Sequence, residues 1–188
     1  MNSTPAASDR PILILFASNH GQTEKIVHRI VDCFPEDTVA LVNAKDGHSV
    51  AAGDFDAVIV AASVHAGHHQ RKIVDWVKHN RDELSARPNA FLSVSLSAAD
   101  EDEEGRESEA KIIRDFTEET GWTPARSEPI AGALQYREYD AFTRLFMKLL
   151  MKHSDKPFDT SKDYDYTDWE ALDRLGAELA GTFLATRV

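Results

Sequence analysis

The chain has 188 residues, of which 42% are hydrophobic and 28% charged, so it can form about one domain around a single core. Its 21 Lys and Arg residues against 32 Asp and Glu give a formal net charge of −11, which argues against a generic binder of the nucleic-acid backbone, because such binding depends on cationic side chains. No apolar run reaches the roughly 18 residues of a membrane-spanning helix, and one cysteine, Cys33, cannot form an intrachain disulfide. We therefore expect a cytoplasmic protein with a flexible tail over residues 1–10 and a single domain over residues 11–188.

Apolar strands alternate with amphipathic helices along the chain. Residues 12–16 form a continuous apolar run, which is typical of a strand covered on both faces, and similar runs follow at 56–62 and 90–94. Shorter strands are predicted at 38–42 and 129–134. Helices are predicted from apolar spacing near residues 26–34, 70–80, 112–120 and 168–184, with Asp168 as the N-cap of the last one.

This alternation predicts an α/β fold with an open, doubly wound sheet of five parallel strands. The acidic residues 100–104 and those just after them, to about 109, are expected to form a solvated loop. Residues 135–166 exceed what a connection between the fifth strand and the last helix needs, and we interpret them as an insertion.

Within the insertion, residues 138–152 have the spacing of an amphipathic helix. Aromatic and Leu side chains fall on one face, while Arg144, Lys148 and Lys152 follow on another. Such a helix can lie in a membrane interface, but it can equally pack on its own domain or on a second subunit.

Three polar segments follow strands one, three and four, at residues 18–23, 63–69 and 95–99. Ligands of open α/β sheets bind beyond the carboxyl ends of the strands, where these segments would meet. The first segment ends at the N-terminus of a helix, whose free N–H groups and dipole favour an anion such as a terminal phosphate. The alternative is a turn with a hydroxyl helix cap. The segment contains neither Gly-Lys-Ser/Thr nor Gly-x-Gly-x-x-Gly, which argues against an NTPase and a Rossmann NAD domain.

These segments carry a family resemblance. Residues 16–23 (FASNHGQT) resemble the FMN-phosphate loop of flavodoxins. Residues 62–68 (ASVHAGH), 130–134 (IAGAL), 146–152 (FMKLLMK) and 166–170 (YTDWE) resemble the menaquinone-dependent protoporphyrinogen IX dehydrogenases, which are flavodoxin-like oxidases of haem biosynthesis. The resemblance covers about residues 11–184 and implies the strand order 2-1-3-4-5, with the inserted helix between strand five and the last helix.

The resemblance implies an FMN enzyme that oxidises protoporphyrinogen IX and passes the electrons to a quinone. It implies these FMN contacts: Ser18, Asn19, His20, Gly21, Gln22, Thr23, Ser63, Val64, His65, Ala66, Gly67, His68, Ser95, Leu96, Ser97 and Ala98. The cofactor carries the chemistry, so no catalytic side chain is predicted. No metal is predicted either, because His65, His68 and His69 lie near no paired Cys or carboxylate motif. Peripheral membrane contact on the cytoplasmic face and a homo-oligomer are left open.

Three features depart from the family pattern. In the insertion, residues 135–140 mix charges of both signs where a more basic and aromatic segment is expected. Ala66 stands where relatives usually carry an aromatic residue, so ring stacking would come from His65 or His68. The segment after the fourth strand is acidic, whereas a basic one would help docking to a membrane. These departures leave two alternatives: a flavodoxin-type electron carrier whose acidic surface steers redox partners, and a binding module that has lost its flavin.

Overall fold

A computed structural model describes residues 12–18, 20–46, 50–100, 102–134 and 164–185. The predicted tail at residues 1–10, the predicted contact Asn19 and the predicted helix at 138–152 lie outside the described residues. In chain order the elements are β1 Ile12–Ala17, α1 Gln22–Val31, β2 Val39–Asn43, β3 Ala57–His65, β4 His68–His69, α2 Arg71–His79, α3 Arg81–Ser85, β5 Asn89–Ser95, α4 Glu103–Thr120, β6 Ser127–Ala131, β7 Ala133–Leu134, β8 Tyr164–Asp165 and α5 Trp169–Ala185.

Five of these strands form a parallel sheet in the order β2-β1-β3-β5-β6, to which β4 adds by antiparallel pairing with β3. Ile12 of β1 lies between Val39 of β2 and Ala57 of β3, which sets the register at the centre of the sheet. Counted by its parallel strands alone, the sheet has the predicted order 2-1-3-4-5. The predicted fold class is confirmed.

The sheet is buried on both faces, which explains the unbroken apolar runs of its central strands. Ile12, Ile14 and Phe16 face the layer made by α1 and α5. Leu13 and Leu15 point the other way and pack with α2, α3 and α4. Because side chains alternate between faces along a strand, both parities of β1 must be apolar.

The prediction that residues 100–109 form a solvated loop is wrong from residue 103 onward. Helix α4 begins at Glu103, and the Asp102 side chain caps it by accepting a hydrogen bond from the Gly105 N–H at 2.8 Å. Glu103 and Glu104 occupy the first turn, where the helix dipole favours carboxylates. The acidic run is therefore the start of a helix and its cap.

The ends of the insertion are held together by a small ribbon. β6 ends at Ala131, earlier than the predicted strand, and β7 then pairs with β8 so that Leu134 lies opposite Tyr164. After this ribbon, the Asp168 side chain accepts a hydrogen bond from the Ala171 N–H at 2.9 Å, which confirms the predicted N-cap of α5. Among the helices of the described residues, none combines the length and the apolar character needed to span a bilayer.

Candidate functional site

The carboxyl ends of β1, β3, β5 and β6 border one cleft, with about 430 Å³ of empty space including open solvent. All three predicted segments reach it, and the segment after β6 adds a fourth wall. The cleft is lined by Ser18, His20, Gln22, Thr23, Ser63, Val64, His65, Val94, Ser95, Leu96, Gly132 and Ala133. Nine of these residues were predicted from the sequence as contacts of a ligand, whereas Val94, Gly132 and Ala133 were not.

The first segment turns tightly into α1. Gly21 has φ +83°, a left-handed conformation that glycine adopts without strain, and its N–H donates to Ser18 Oγ at 2.9 Å. Ser18 therefore closes the turn before the helix, whereas the N-cap of α1 is Gly21 and no side chain caps it, so the hydroxyl helix cap considered from the sequence is not present. Thr23, in the first turn of α1, is only 1% exposed, and its Oγ1 has no hydrogen-bond partner within the described part of the chain.

Gln22 joins this segment to the base of the insertion. Its Nε2 donates to Asp165 Oδ1 at 2.9 Å and to Thr167 Oγ1 at 2.8 Å, and the Thr167 hydroxyl donates to the Ala131 carbonyl at 2.8 Å. The other side-chain atom, Gln22 Oε1, is buried and has no partner among the residues described. Two buried oxygens at the start of α1, from Gln22 and Thr23, therefore have no partner within the described residues, and both side chains line the cleft.

The second segment is a β-hairpin, so the predicted loop at 63–69 is corrected. β3 continues to His65, and Ala66 and Gly67 form a two-residue turn with φ of +48° and +79° before β4. Positive φ at both turn positions is the pattern of a type I′ turn, which suits the twist of a hairpin. Ser63, Val64 and His65 line the cleft. Ala66, Gly67 and His68 are exposed at the tip and do not line it.

His65 and His69 of the hairpin lie in different environments. His65 lines the cleft with its ring 5.3 Å from the His20 ring. Burial, reinforced by His20 and Lys45, lowers the pKa of His65, so its ring is neutral at neutral pH. His69 is buried edge-on against Phe91 and Phe116, and burial lowers its pKa to about 4. Across the described residues, no group of three His, Cys, Asp or Glu side chains could hold a metal ion.

Lys45 is a cation beside the cleft that the sequence reasoning did not consider. It lies directly after β2, and its Nζ donates to the carbonyl oxygen of Ser18. The position after a strand that neighbours β1 could have indicated it, because the carboxyl ends of adjacent parallel strands share one edge of the sheet.

The third segment, residues 95–99, is a short turn that we call the 95–99 turn. Ser95 and Leu96 line the cleft, whereas Ser97 and Ala98 lie in the 3₁₀ helix that follows. Ser95 Oγ accepts the Ala98 N–H at 3.0 Å, and the Ser95 carbonyl accepts the Gly132 N–H at 2.8 Å. The turn is thereby tied to the fourth wall of the cleft.

A buried carboxylate lies behind this turn. Glu109 of α4 is 4% exposed and accepts hydrogen bonds from Ser93, Ser95 and Ser97. The sequence reasoning missed it because the residue stands in an acidic run. Its spacing of four before Ile113 and of seven before Phe116 was the signal that places Glu109 on the inward face of the helix.

A parallel 2-1-3-4-5 sheet with a cleft at the ends of β1 and β3 defines a flavodoxin-type α/β protein. Residues 13–161 match the family model described as flavodoxin domain. Oxidised Flavodoxin 1 from Bacillus cereus has a similar structure, with a TM-score of 0.52 at 16% identity over 90% of this chain and 97% of that one. This likeness shows the fold.

Curated relatives show to which group within the flavodoxin domain family the chain belongs. The protoporphyrinogen IX dehydrogenase (quinone) of Leishmania major is 33% identical over 183 residues, which are 95% of this chain and 79% of the relative. The enzyme of that name from Escherichia coli K12 is 32% identical over 170 residues, which are 89% and 93% of the two chains. The chain belongs to the flavodoxin domain family and, within it, to the protoporphyrinogen IX dehydrogenase (quinone) family of oxidoreductases. The resemblance noted in the sequence is confirmed.

Proposed function

We propose that the chain binds FMN noncovalently in the cleft and oxidises protoporphyrinogen IX to protoporphyrin IX, a reaction of haem biosynthesis, with menaquinone or a related quinone as acceptor. The family supports this assignment through the reaction that its members are named for. The observation that most directly supports FMN as the cofactor is the buried Thr23 hydroxyl. It lies in the cleft at the N-terminus of α1 and has no partner in the described residues.

The residues present fit a phosphate ester. A helix N-terminus offers N–H groups and a favourable dipole, and the left-handed Gly21 lets backbone approach closely without a side chain in the way. The Thr23 hydroxyl would donate to a phosphate oxygen, and Gln22 Oε1 would accept a hydrogen bond from a ligand hydroxyl. Phosphate and hydroxyl are the two kinds of polar group on the ribityl phosphate chain of FMN.

The remaining walls fit a flat ring. Val64, Leu96 and Ala133 offer small apolar surface, and the neutral imidazole of His65 can accept or donate a hydrogen bond. The hairpin and the 95–99 turn would hold the ring between them. FMN would supply the acceptance and release of electrons, while the chain provides placement and the electrostatic surroundings.

The insertion is the segment that would distinguish this enzyme from an electron carrier. Its two ends meet at the β7–β8 ribbon, and the Tyr166 N–H donates to the Gly132 carbonyl at 3.2 Å, at the wall of the cleft. The β7–β8 ribbon, where the insertion begins and ends, therefore adjoins the cleft. Contact of that segment with porphyrinogen, with the cytoplasmic membrane face or with a second subunit stays a prediction.

Anaerobic turnover of the FMN-loaded protein tests the proposal. With protoporphyrinogen and a soluble menaquinone analogue, we expect porphyrin fluorescence to appear faster than with the substrate alone. A Thr23→Val variant should lose rate at limiting FMN and recover it at excess FMN. Protein that holds FMN but gives no acceleration with the quinone would be an electron carrier, and protein that takes up no FMN would be the flavin-free binding module.

A further inference from the structure

Glu109 is a carboxylate buried behind the wall of the cleft. Ser93 Oγ donates to its Oε1 at 2.7 Å, while Ser95 Oγ and Ser97 Oγ donate to its Oε2 at 2.5 and 2.7 Å. Hydrogen bonds between a hydroxyl and an ionised carboxylate are about 2.5–2.7 Å long. Three serine hydroxyls therefore surround the carboxyl group, and the two on Oε2 lie 3.0 Å from each other.

The local sequence brings these groups together. Ser93 and Ser95 stand two positions apart on β5, so both point to the face that α4 covers. Gly105 lies one helical turn before Glu109 and lets α4 approach the 95–99 turn, because a Cβ at this position would lie 2.4 Å from the Asp100 carbonyl oxygen. Glycine at 105 thus places Glu109 directly beneath the serines.

The partners of Glu109 do not neutralise its charge. Ser93 has one hydroxyl proton and gives it to Glu109, so His69 Nε2, 3.1 Å from Ser93 Oγ, must be the donor of that contact. The pKa of His69 is lowered to about 4 by burial, so this ring is neutral at neutral pH. Within the described residues the network consists of three hydroxyls and a neutral imidazole, and no cationic side chain bonds to the carboxyl group there.

We propose that Glu109 is a positioning residue that holds the 95–99 turn in its ligand-binding shape and, through its buried charge, lowers the reduction potential of the cofactor in the cleft. The effect on the reduction potential rests on the function proposed above. Ser95 is the link, since it lines the cleft, donates to Glu109, and accepts the N–H groups of Ala98 and Gly132. A fixed negative charge one hydroxyl away from the cleft wall disfavours adding electrons there, because the buried surroundings screen it weakly.

Three variants test the proposal. Glu109→Gln removes the charge and keeps the size, and Glu109→Ala removes both. Glu107→Gln is the matched control, since Glu107 is an exposed carboxylate of the same helix. The measurements are the reduction potential of the FMN-loaded protein, the Kd for FMN, and hydrogen exchange of the Ala98 and Gly132 amides in the protein without FMN.

We expect both Glu109 variants to have a more positive reduction potential than the wild type, and the control to match the wild type. Exchange of the two amides should quicken about tenfold in Glu109→Ala and less in Glu109→Gln, with Kd rising in the same order. A role in overall stability alone would lower the unfolding temperature but leave the potential of the folded protein unchanged. An unchanged potential together with unchanged amide exchange in Glu109→Gln would overturn the proposal.

Failure of the proposed function can be distinguished from failure of the proposal for Glu109. If the wild type takes up no FMN, the cofactor assignment fails, while amide exchange in the free protein still decides whether Glu109 holds the turn. If Glu109→Ala does not fold, the isosteric Glu109→Gln carries the comparison with Glu107→Gln, and wild-type behaviour of both variants contradicts the proposal.

Discussion

Replacing Thr23 by Val should stabilise the free protein and weaken its binding of FMN. Thr23 is 1% exposed, and among the described residues its Oγ1 has no partner. A buried hydroxyl without a hydrogen bond costs about 1–3 kcal/mol, and Val has nearly the same shape as Thr. We therefore expect a gain of about 1 kcal/mol, which raises the Tm of a chain of this size by about 2–4 °C.

The effect on the complex should have the opposite sign. If Thr23 donates to the FMN phosphate, the substitution removes a hydrogen bond to a charged group, which is worth about 1.5–3 kcal/mol. The Kd for FMN should rise roughly ten- to 150-fold. Thermal unfolding without FMN measures the first effect, and quenching of flavin fluorescence on binding measures the second.

Thr120 is the matched control. It is also buried, at 4% exposure, but its Oγ1 donates to the Phe116 carbonyl at 2.8 Å and accepts the Trp122 N–H at 3.3 Å. Thr120→Val should therefore lower stability by about 1 kcal/mol and leave the Kd unchanged. A Thr23→Val protein that loses stability as Thr120→Val does, with unaltered affinity for FMN, would refute the reasoning.

Three further predictions concern the hairpin, its buried histidine and the insertion. Ala66 has φ +48°, which costs an alanine roughly 1 kcal/mol, so Ala66→Asn should raise the Tm and Ala66→Val should lower it. Between pH 6.5 and about 4 the unfolded His69 takes up a proton that the folded ring does not, so stability present above pH 6.5 is lost on acidification, by up to about 3 kcal/mol. Urea unfolding across this range should show a smaller loss for His69→Gln, and an equal loss would contradict the assignment. In the predicted helix at 138–152, Phe146→Asp with Leu150→Asp should abolish co-sedimentation with liposomes while FMN stays bound; unchanged sedimentation would eliminate the membrane role.

Local patterns predicted most of the fold because they depend on neighbours in the chain. The apolar run at 12–16 could only be a strand buried on both faces, and Asp168 stands one residue before α5, where a capping side chain is expected. The three polar segments were correctly assigned to one edge of the sheet because parallel strands all end there. The hairpin at 63–69 was missed because its turn uses Ala66 in a conformation that asparagine or glycine usually supplies.

By itself the sequence determined the layering of strands and helices, the place of the cleft and the family to which the chain belongs. Each of these features is indicated by short segments with a recognisable period or motif. Only the tertiary structure decided which side chains meet. It placed Glu109 beneath Ser95, 14 residues earlier in the chain, and joined Gln22 to Asp165 across 143 residues. Hydrophobic periodicity indicates which face of a helix turns inward, but the partner of a buried polar group depends on how closely two elements approach, and here that approach depends on Gly105.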